Sequence, residues 1–288
     1  MEEITRDILK NIYKPRPANA KKYDAGLLLV IGGSDFYSGS PALSALAAFK
    51  SGVDMVRVIA PKRAADIIAS LSPILAAYPL EGKWLTDQHL ATLISMTESA
   101  KTVAKGKAAV VIGGGMGRTE ETQKAILEYL AQVSLPVVID ADAIHALRKN
   151  SAVIAGKPFL ITPHTYEFFI LTSQKIYQLS EEEKIKQVEN EAKRLNTTIL
   201  LKGMVDIISD GKETAIIRGG SPYMAKGGTG DVLAGICGSL LARGCSPFEA
   251  GCAASFINKK AGEAVAQELK EALTATDLID ALPAIIKS

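Results

Sequence analysis

Short aliphatic and β-branched runs alternate with longer amphipathic stretches along the 288-residue chain, and this alternation limits the accessible folds more than any other feature. Residues 27–31, 56–59, 109–112, 137–139, 159–161 and 198–201 are apolar almost throughout rather than at every second position. That is the pattern of strands covered on both faces. Helices are predicted between them at 41–50, 62–71, 119–131 and 180–195. Buried strands separated by helices give an α/β fold, a three-layer α/β/α domain around a mostly parallel sheet. After Lys202 the pattern changes. Residues 205–209 and 213–218 flank Asp210-Gly211, a dipeptide suited to a tight turn, so an antiparallel hairpin is expected at the edge of the sheet. Residues 229–267 read as helical again and are dense in Ala and Gly, which suits close packing against a core or a ligand. No internal repeat or linker-like stretch divides the chain, and residues 1–288 are read as one domain.

Charge and hydropathy narrow the function classes. Lys and Arg total 33 against 31 Asp and Glu, a net charge of +2, which leaves no excess of basic residues for a nucleic-acid partner. No apolar run reaches the ~18 residues that span a bilayer, since 27–31 and 108–112 each stop at a glycine. Residues 1–10 mix charged with apolar side chains and lack the apolar stretch of a signal peptide, so a cytoplasmic location is expected. Cys237, Cys245 and Cys252 have neither metal-ligand spacing nor an even count, and read as small core residues.

Three glycine clusters follow predicted strands: Gly32-Gly33 leading to Ser38-Gly39-Ser40, then Gly113-Gly114-Gly115-Met116-Gly117, and Gly227-Gly228-Thr229-Gly230. Loops at the carboxyl ends of parallel strands line the ligand crevice, so the three are candidates for one site. The first does not match a dinucleotide fingerprint, no Gly-Lys-Ser/Thr of a P-loop occurs in the chain, and a plain turn at Gly32 and Gly33 accounts for their spacing equally well. The third stands directly before Asp231 and an apolar helix at 232–241. Backbone N–H groups at such a helix start favour an anion. A carboxylate there can serve as a mere cap, but beside an anion site it is also where a general base for hydroxyl phosphorylation would stand.

At this segment the sequence resembles the ribokinase-like superfamily, and within it is most similar to the ADP- or ATP-dependent NAD(P)H-hydrate dehydratases. The matching stretches run in order over nearly the whole chain: 28–34, 38–43, 112–117, 138–143, 161–167, 200–203 and 225–234. The resemblance implies the ribokinase-like fold with antiparallel strands at the edge of its mostly parallel sheet. It implies Asp231 as catalytic base and Gly228, Thr229 and Gly230 as the anion hole. Lys202, Gly203, Met204, Val205 and Asp206 would bind the nucleotide, with Gly230 on its far side. Ser40, Gly117, His164 and Asp231 would touch the second substrate. Glu167 would orient a magnesium-bound water. His164 sets the chain apart from thiazole kinases, which carry Asn at that place. Asp140 and Asp142 look like a metal pair, but the resemblance makes Asp140 a strand-end residue near the phosphates and Asp142 the start of a helix.

The chain departs from the family pattern at Lys21-Lys22-Tyr23, where many relatives have His-Lys-Gly, at Ser40, where they have Ala, and at Gly113-Gly114-Gly115, where they have Gly-Pro-Gly. These changes bear on substrate fit more than on the reaction. The implied activity is dehydration of the S-form of NADH or NADPH hydrate, driven by ADP or ATP with Mg²⁺, through phosphorylation of the C6 hydroxyl and loss of phosphate. About 25 residues precede the first strand, so the epimerase activity fused to some relatives is expected from a separate chain. A homo-oligomer is expected by analogy, the tetramer being common in the family. Two alternatives stay open. A kinase for hydroxyethylthiazole or hydroxymethylpyrimidine would share fold and base. A nucleotide-binding module without turnover would share the glycine loops but has no need of Asp231.

Overall fold

The computed structural model describes residues 2–287. The chain runs β1 (Glu2–Glu3), α1 (Asp7–Ile12), β2 (Leu27–Ile31), α2 (Gly39–Lys50), β3 (Met55–Pro61), α3 (Lys62–Leu71), β4 (Ala76–Leu80), α4 (Leu90–Val103), β5 (Ala108–Ile112), α5 (Glu120–Gln132), β6 (Val137–Ile139) and α6 (Asp142–Leu147). It continues through β7 (Phe159–Ile161), α7 (Thr165–Thr172), α8 (Glu181–Leu195), β8 (Thr198–Leu201), β9 (Val205–Ser209), β10 (Thr214–Arg218), α9 (Thr229–Ala242), α10 (Pro247–Leu269) and α11 (Ala275–Lys287).

All the strands form one ten-stranded sheet in the order β1-β10-β9-β8-β7-β6-β5-β2-β3-β4. From β8 to β4 every pairing is parallel, and β9 and β10 add the antiparallel hairpin. The hairpin is not quite the edge, because Glu2 and Glu3 pair parallel with Ala215 and Ile216 outside it. Helices cover both faces. Leu28, Val30, Ala109 and Val111 turn toward α2, α9, α10 and α11, while Leu27, Leu29, Ile31, Val110 and Ile112 turn toward α4, α5, α6 and α8. Two buried faces account for the uninterrupted apolar runs. The long helical stretch near the C-terminus is two helices, broken where Gly244 takes a φ of +100°. The start at Thr229 leaves Asp231 in the first turn.

Chain order reverses between β2 and β5: β2, β3 and β4 build outward in one direction, β5 through β8 in the other. The loops leaving β2 and β5 therefore diverge and open a crevice at the carboxyl ends of the strands. Over that crevice α2 lies unusually close to α9. A side-chain carbon added at Gly235 would sit 2.2 Å from the Ser44 carbonyl oxygen, so only glycine permits the approach. Small residues on the facing side of α2, among them Ala45, Ala47 and Ala48, are buried completely. The two helices start at the crevice, which brings their first turns together.

Gly235→Ala is accordingly expected to lower unfolding free energy by about 1–3 kcal/mol through overpacking. Gly227→Ala, where an added carbon meets nothing within 4 Å, is expected to change it by less than about 0.5 kcal/mol. Urea titration of the two variants beside the parent checks the contrast.

Candidate functional site

Three glycine loops meet at the crevice. The Gly33 N–H donates to the Gly114 carbonyl at 2.8 Å, tying the loop after β2 to the loop after β5. A carbon added at Gly114 would lie 3.0 Å from Asp231 Oδ1 and 2.8 Å from the Ser40 Cβ, which brings the third loop against both. Gly228, the N-cap of α9, has a φ of +96° and packs on Leu43 and Ala275, so its backbone turns sharply into the helix. The first intrahelical bond runs from Val232 N–H to the Gly228 carbonyl at 3.0 Å. The N–H groups of Thr229, Gly230 and Asp231 precede that bond and have no partner within the helix. They form the electropositive start of a 14-residue helix, an anion site by geometry and dipole. The Thr229 hydroxyl takes no part, since it donates to the carbonyls of Met224 and Lys226 at 2.9 and 3.0 Å.

Asp231 is 9% exposed and held at two points by α2. Ser40 Oγ donates to its carboxylate Oδ2 at 3.0 Å, and Ser44 Oγ donates to its backbone carbonyl at 2.9 Å. Burial pushes the Asp231 carboxyl up to about 7, the nearby Asp140 charge adds to the rise, and the Ser40 hydrogen bond and Lys202 oppose it. The group thus changes charge near neutrality, where a general base is most useful.

Opposite Asp231, the ends of β6, β7 and β8 supply a compact ionic cluster. Lys202, directly after β8, places Nζ 2.8 Å from Asp140 Oδ1 and 3.6 Å from Glu167 Oε2. Burial works against the ammonium, but Asp140 and Glu167 outweigh it and hold its pKa at about 12. It is therefore a fixed positive charge, and a carbon added at Gly230 would lie 3.5 Å from it. Thr162 Oγ1 donates to Asp140 Oδ1 at 2.7 Å and completes the clamp on that carboxylate.

Several expected site residues carry structural duties. His164 is the N-cap of α7: its Nδ1 accepts from the Tyr166 and Glu167 N–H groups, and Glu167 Oε2 accepts from the His164 N–H at 2.8 Å. The pair forms a capping box with imidazole in place of a hydroxyl. His164 Nε2 lies 3.4 Å from Glu167 Oε1, and the residue lines one end of the cavity. Asp140 and Asp142 do not form a metal pair. Ala141 between them takes a φ of +47°, which sends Asp140 to Lys202 and Asp142 to the Gly117 N–H and the Arg118 guanidinium at 2.9 and 2.7 Å. The Gly117 N–H is thereby occupied, and its Cα faces the Trp84 ring, 2.7 Å from where a side chain would start. Asp206 faces inward: its carboxylate accepts from Ser255 Oγ at 2.6 Å and the Gly203 N–H at 2.9 Å and pairs with Lys259 at 3.4 Å. Burial raises its pKa against those partners. Its carboxylate holds the loop at 203–206 together on the wall of the neighbouring cavity.

The loop at 202–206 borders a cavity of about 1000 Å³ that runs from His164 and Lys202 past Gly230 to Pro222 and Met224. Met204 is 91% exposed at its rim. Lys259 Nζ donates to the carbonyls of Gly203, Met204 and Gly219 at 2.9, 3.1 and 3.2 Å, pinning both walls. Asn258, also lining the cavity, is 6% exposed and its Oδ1 accepts no hydrogen bond. Neither residue stood out in the sequence, because a polar pair inside an Ala-rich helix reads as a solvated turn. Trp84 and Ser44 were equally unmarked.

Residues 28–284 match the sequence profile of the family described as NAD(P)H-hydrate dehydratase. A bifunctional NAD(P)H-hydrate repair enzyme from Pyrobaculum aerophilum is 42% identical over 274 residues, which cover 94% of this chain and 52% of the relative. The chain spans about half the length of this relative and of other bifunctional repair enzymes that it matches. An ADP-dependent (S)-NAD(P)H-hydrate dehydratase from Cenarchaeum symbiosum is 37% identical over 284 residues, covering 99% of this chain and 96% of the relative. The crystal structure of a ribokinase-like superfamily protein from Enterococcus faecalis superposes with a TM-score of 0.84 at 26% identity, over 99% of this chain and 95% of that one.

The raised Asp231 pKa carries a stability cost with a definite sign. The unfolded chain releases this proton near 3.8 and the folded chain near 7, so stability falls as pH rises between those values, and the penalty is complete above 7. Asp231→Asn, neutral at every pH, is expected to be more stable than the parent at about pH 8 by on the order of 2 kcal/mol, with the gap closing toward pH 4. Denaturant unfolding at the two pH values measures it.

Proposed function

The chain belongs to the NAD(P)H-hydrate dehydratase family, and from that premise we propose that it converts the S-form of NADH or NADPH hydrate to the reduced dinucleotide at the expense of ADP or ATP. One observation carries the reading: a buried carboxylate that titrates near neutrality stands in the first turn of a helix whose unpaired N–H groups favour a phosphate. Phosphoryl transfer to a hydroxyl needs those two elements side by side. The relative named ADP-dependent supports ADP as a donor. The absence of a spanning helix among the described residues accords with a water-soluble nucleotide substrate.

The donor's base and ribose would occupy the cavity beside Gly203, Met204 and Val205, and its terminal phosphate would lie at the N–H groups of Thr229 and Gly230, close to Lys202. The hydrated nicotinamide would enter from the crevice over Ser40, Gly114 and the Nε2 side of His164. Asp231 takes the proton from the C6 hydroxyl as that oxygen attacks the terminal phosphorus. The bond from phosphorus to the leaving nucleotide breaks, and the new ester oxygen belongs to the substrate. The ring nitrogen's electron pair then expels phosphate from C6, C5 gives up a proton, and the ring double bond returns. Phosphate leaves where hydroxide could not.

Among the described residues no three carboxylate, imidazole or thiol side chains converge on one point. Asp140 and Glu167 are already shared with Lys202. A magnesium ion fits this surrounding when the phosphates and water supply most of its oxygens, with Glu167 reached through water, as the small hydrated ion prefers. Bound so, it would neutralise charge on the phosphates.

Mixing the protein with Mg²⁺, chemically hydrated NADH and either ADP or ATP is expected to restore the near-ultraviolet absorbance of the reduced nicotinamide only when nucleotide is present. A nucleotide-dependent but stable phosphorylated product would indicate a kinase instead. Asp231→Asn is expected to lower kcat by about 10²–10⁴-fold. Because the base must be ionised, kcat/KM should fall as pH drops below about 7, and a flat profile from pH 5 to 8 would contradict the role given to Asp231.

A further inference from the structure

The two oxygens of the Asp231 carboxylate stand in different surroundings. Oδ2 accepts from the Ser40 hydroxyl at 3.0 Å, a buried contact between the first turns of α2 and α9. Oδ1 lies over Gly114, where a side-chain carbon would crowd it at 3.0 Å. The backbone at Gly114 is not in the left-handed region, so space alone keeps a side chain away. One oxygen is therefore occupied by a protein donor and the other is bare toward the crevice.

We propose that Ser40 is a positioning residue for Asp231, whose hydroxyl occupies Oδ2 and leaves Oδ1, on the Gly114 side, as the oxygen that takes the substrate's proton. This rests on the reading of Asp231 as the base. Ser40 and Ser44 are one helical turn apart, and the second serine fixes the Asp231 backbone carbonyl while the first fixes its carboxylate. With the backbone fixed by Ser44 and Oδ2 held by Ser40, the carboxylate cannot rotate to exchange its oxygens without breaking the α2 contact. Substrate reaching Oδ2 would have to displace a buried hydroxyl, whereas Oδ1 needs no displacement.

The contact also sets how readily Asp231 ionises. The charged groups that face it are Asp140 after β6, Asp142 at the start of α6 and Lys202 after β8; the two carboxylates disfavour its charge and Lys202 favours it. Ser40 favours the charged form as well, and does so by a direct hydrogen bond. Loss of that bond makes the carboxylate harder to ionise, so the proton is held to higher pH.

The test compares Ser40→Ala with the parent in two ways. The Asp231 side-chain carbon, ¹³C-labelled, is titrated by NMR in the free protein, and kcat/KM for hydrated NADH is followed against pH. We expect both the carbon titration and the acid limb of the rate to move up by about one pH unit, so that the loss in kcat/KM is about tenfold greater at pH 6 than at pH 9. An unmoved titration with KM for the hydrate raised equally at every pH would make Ser40 a substrate contact only and overturn the proposal, leaving Asp231 as base. A titration that moves while the rate limb stays would instead remove Asp231 from the proton-transfer step, and the assignment of Oδ1 would fall with it.

Discussion

The close crossing of α2 over α9 is the constraint on which the rest of the site depends. Gly235 against the Ser44 carbonyl sets the distance between the helices, and with their starts at one crevice that distance brings Ser40 onto Asp231. A helix pair at ordinary spacing would leave the carboxylate in water, with an ordinary pKa and no fixed orientation. The small residues of both helices are thus not filler for a core. They convert close packing into a buried, oriented and weakly acidic carboxylate beside an anion-binding helix start.

A second balance lies across the crevice. Asp140 and Glu167 pair with one ammonium, Lys202, whose charge also reaches Asp231, while Thr162 and Ser40 donate to the Asp140 and Asp231 carboxylates. Such a cluster does little for stability, since buried charges lose their hydration and regain it only partly in each other. Its value is electrostatic. Lys202 is locked in the charged state at the place where a transferred phosphate would lie, while burial, with Asp140 adding to it, keeps Asp231 on the edge of ionisation.

Much of this was legible in the sequence, for reasons that differ from part to part. The central strands were readable because burial on both faces leaves them apolar at every position, and β2, β6, β7 and β8 end where the apolar runs end. The strand at Ala76–Leu80 was not, because it is an edge strand with most of its side chains exposed and a proline within it. Asp231 was readable because its neighbours in sequence are also its neighbours in function. The Ser40 contact was not: 191 residues separate the partners, and no local pattern records a crossing of helices. His164 shows a further limit. The resemblance gave it and Glu167 separate roles, and the capping box that joins them is visible only once α7 is seen to start there.

In the proposed reaction the substrate's hydroxyl leaves as part of phosphate, after attack on the nucleotide's terminal phosphorus. Hydrated NADH carrying ¹⁸O in its C6 hydroxyl, turned over once with ADP or ATP, tests this by where the label is found. The label is expected in inorganic phosphate, one heavy oxygen for each dinucleotide restored. Label released into water, with nucleotide cleavage proceeding alongside, would mean direct elimination of hydroxide and would contradict it.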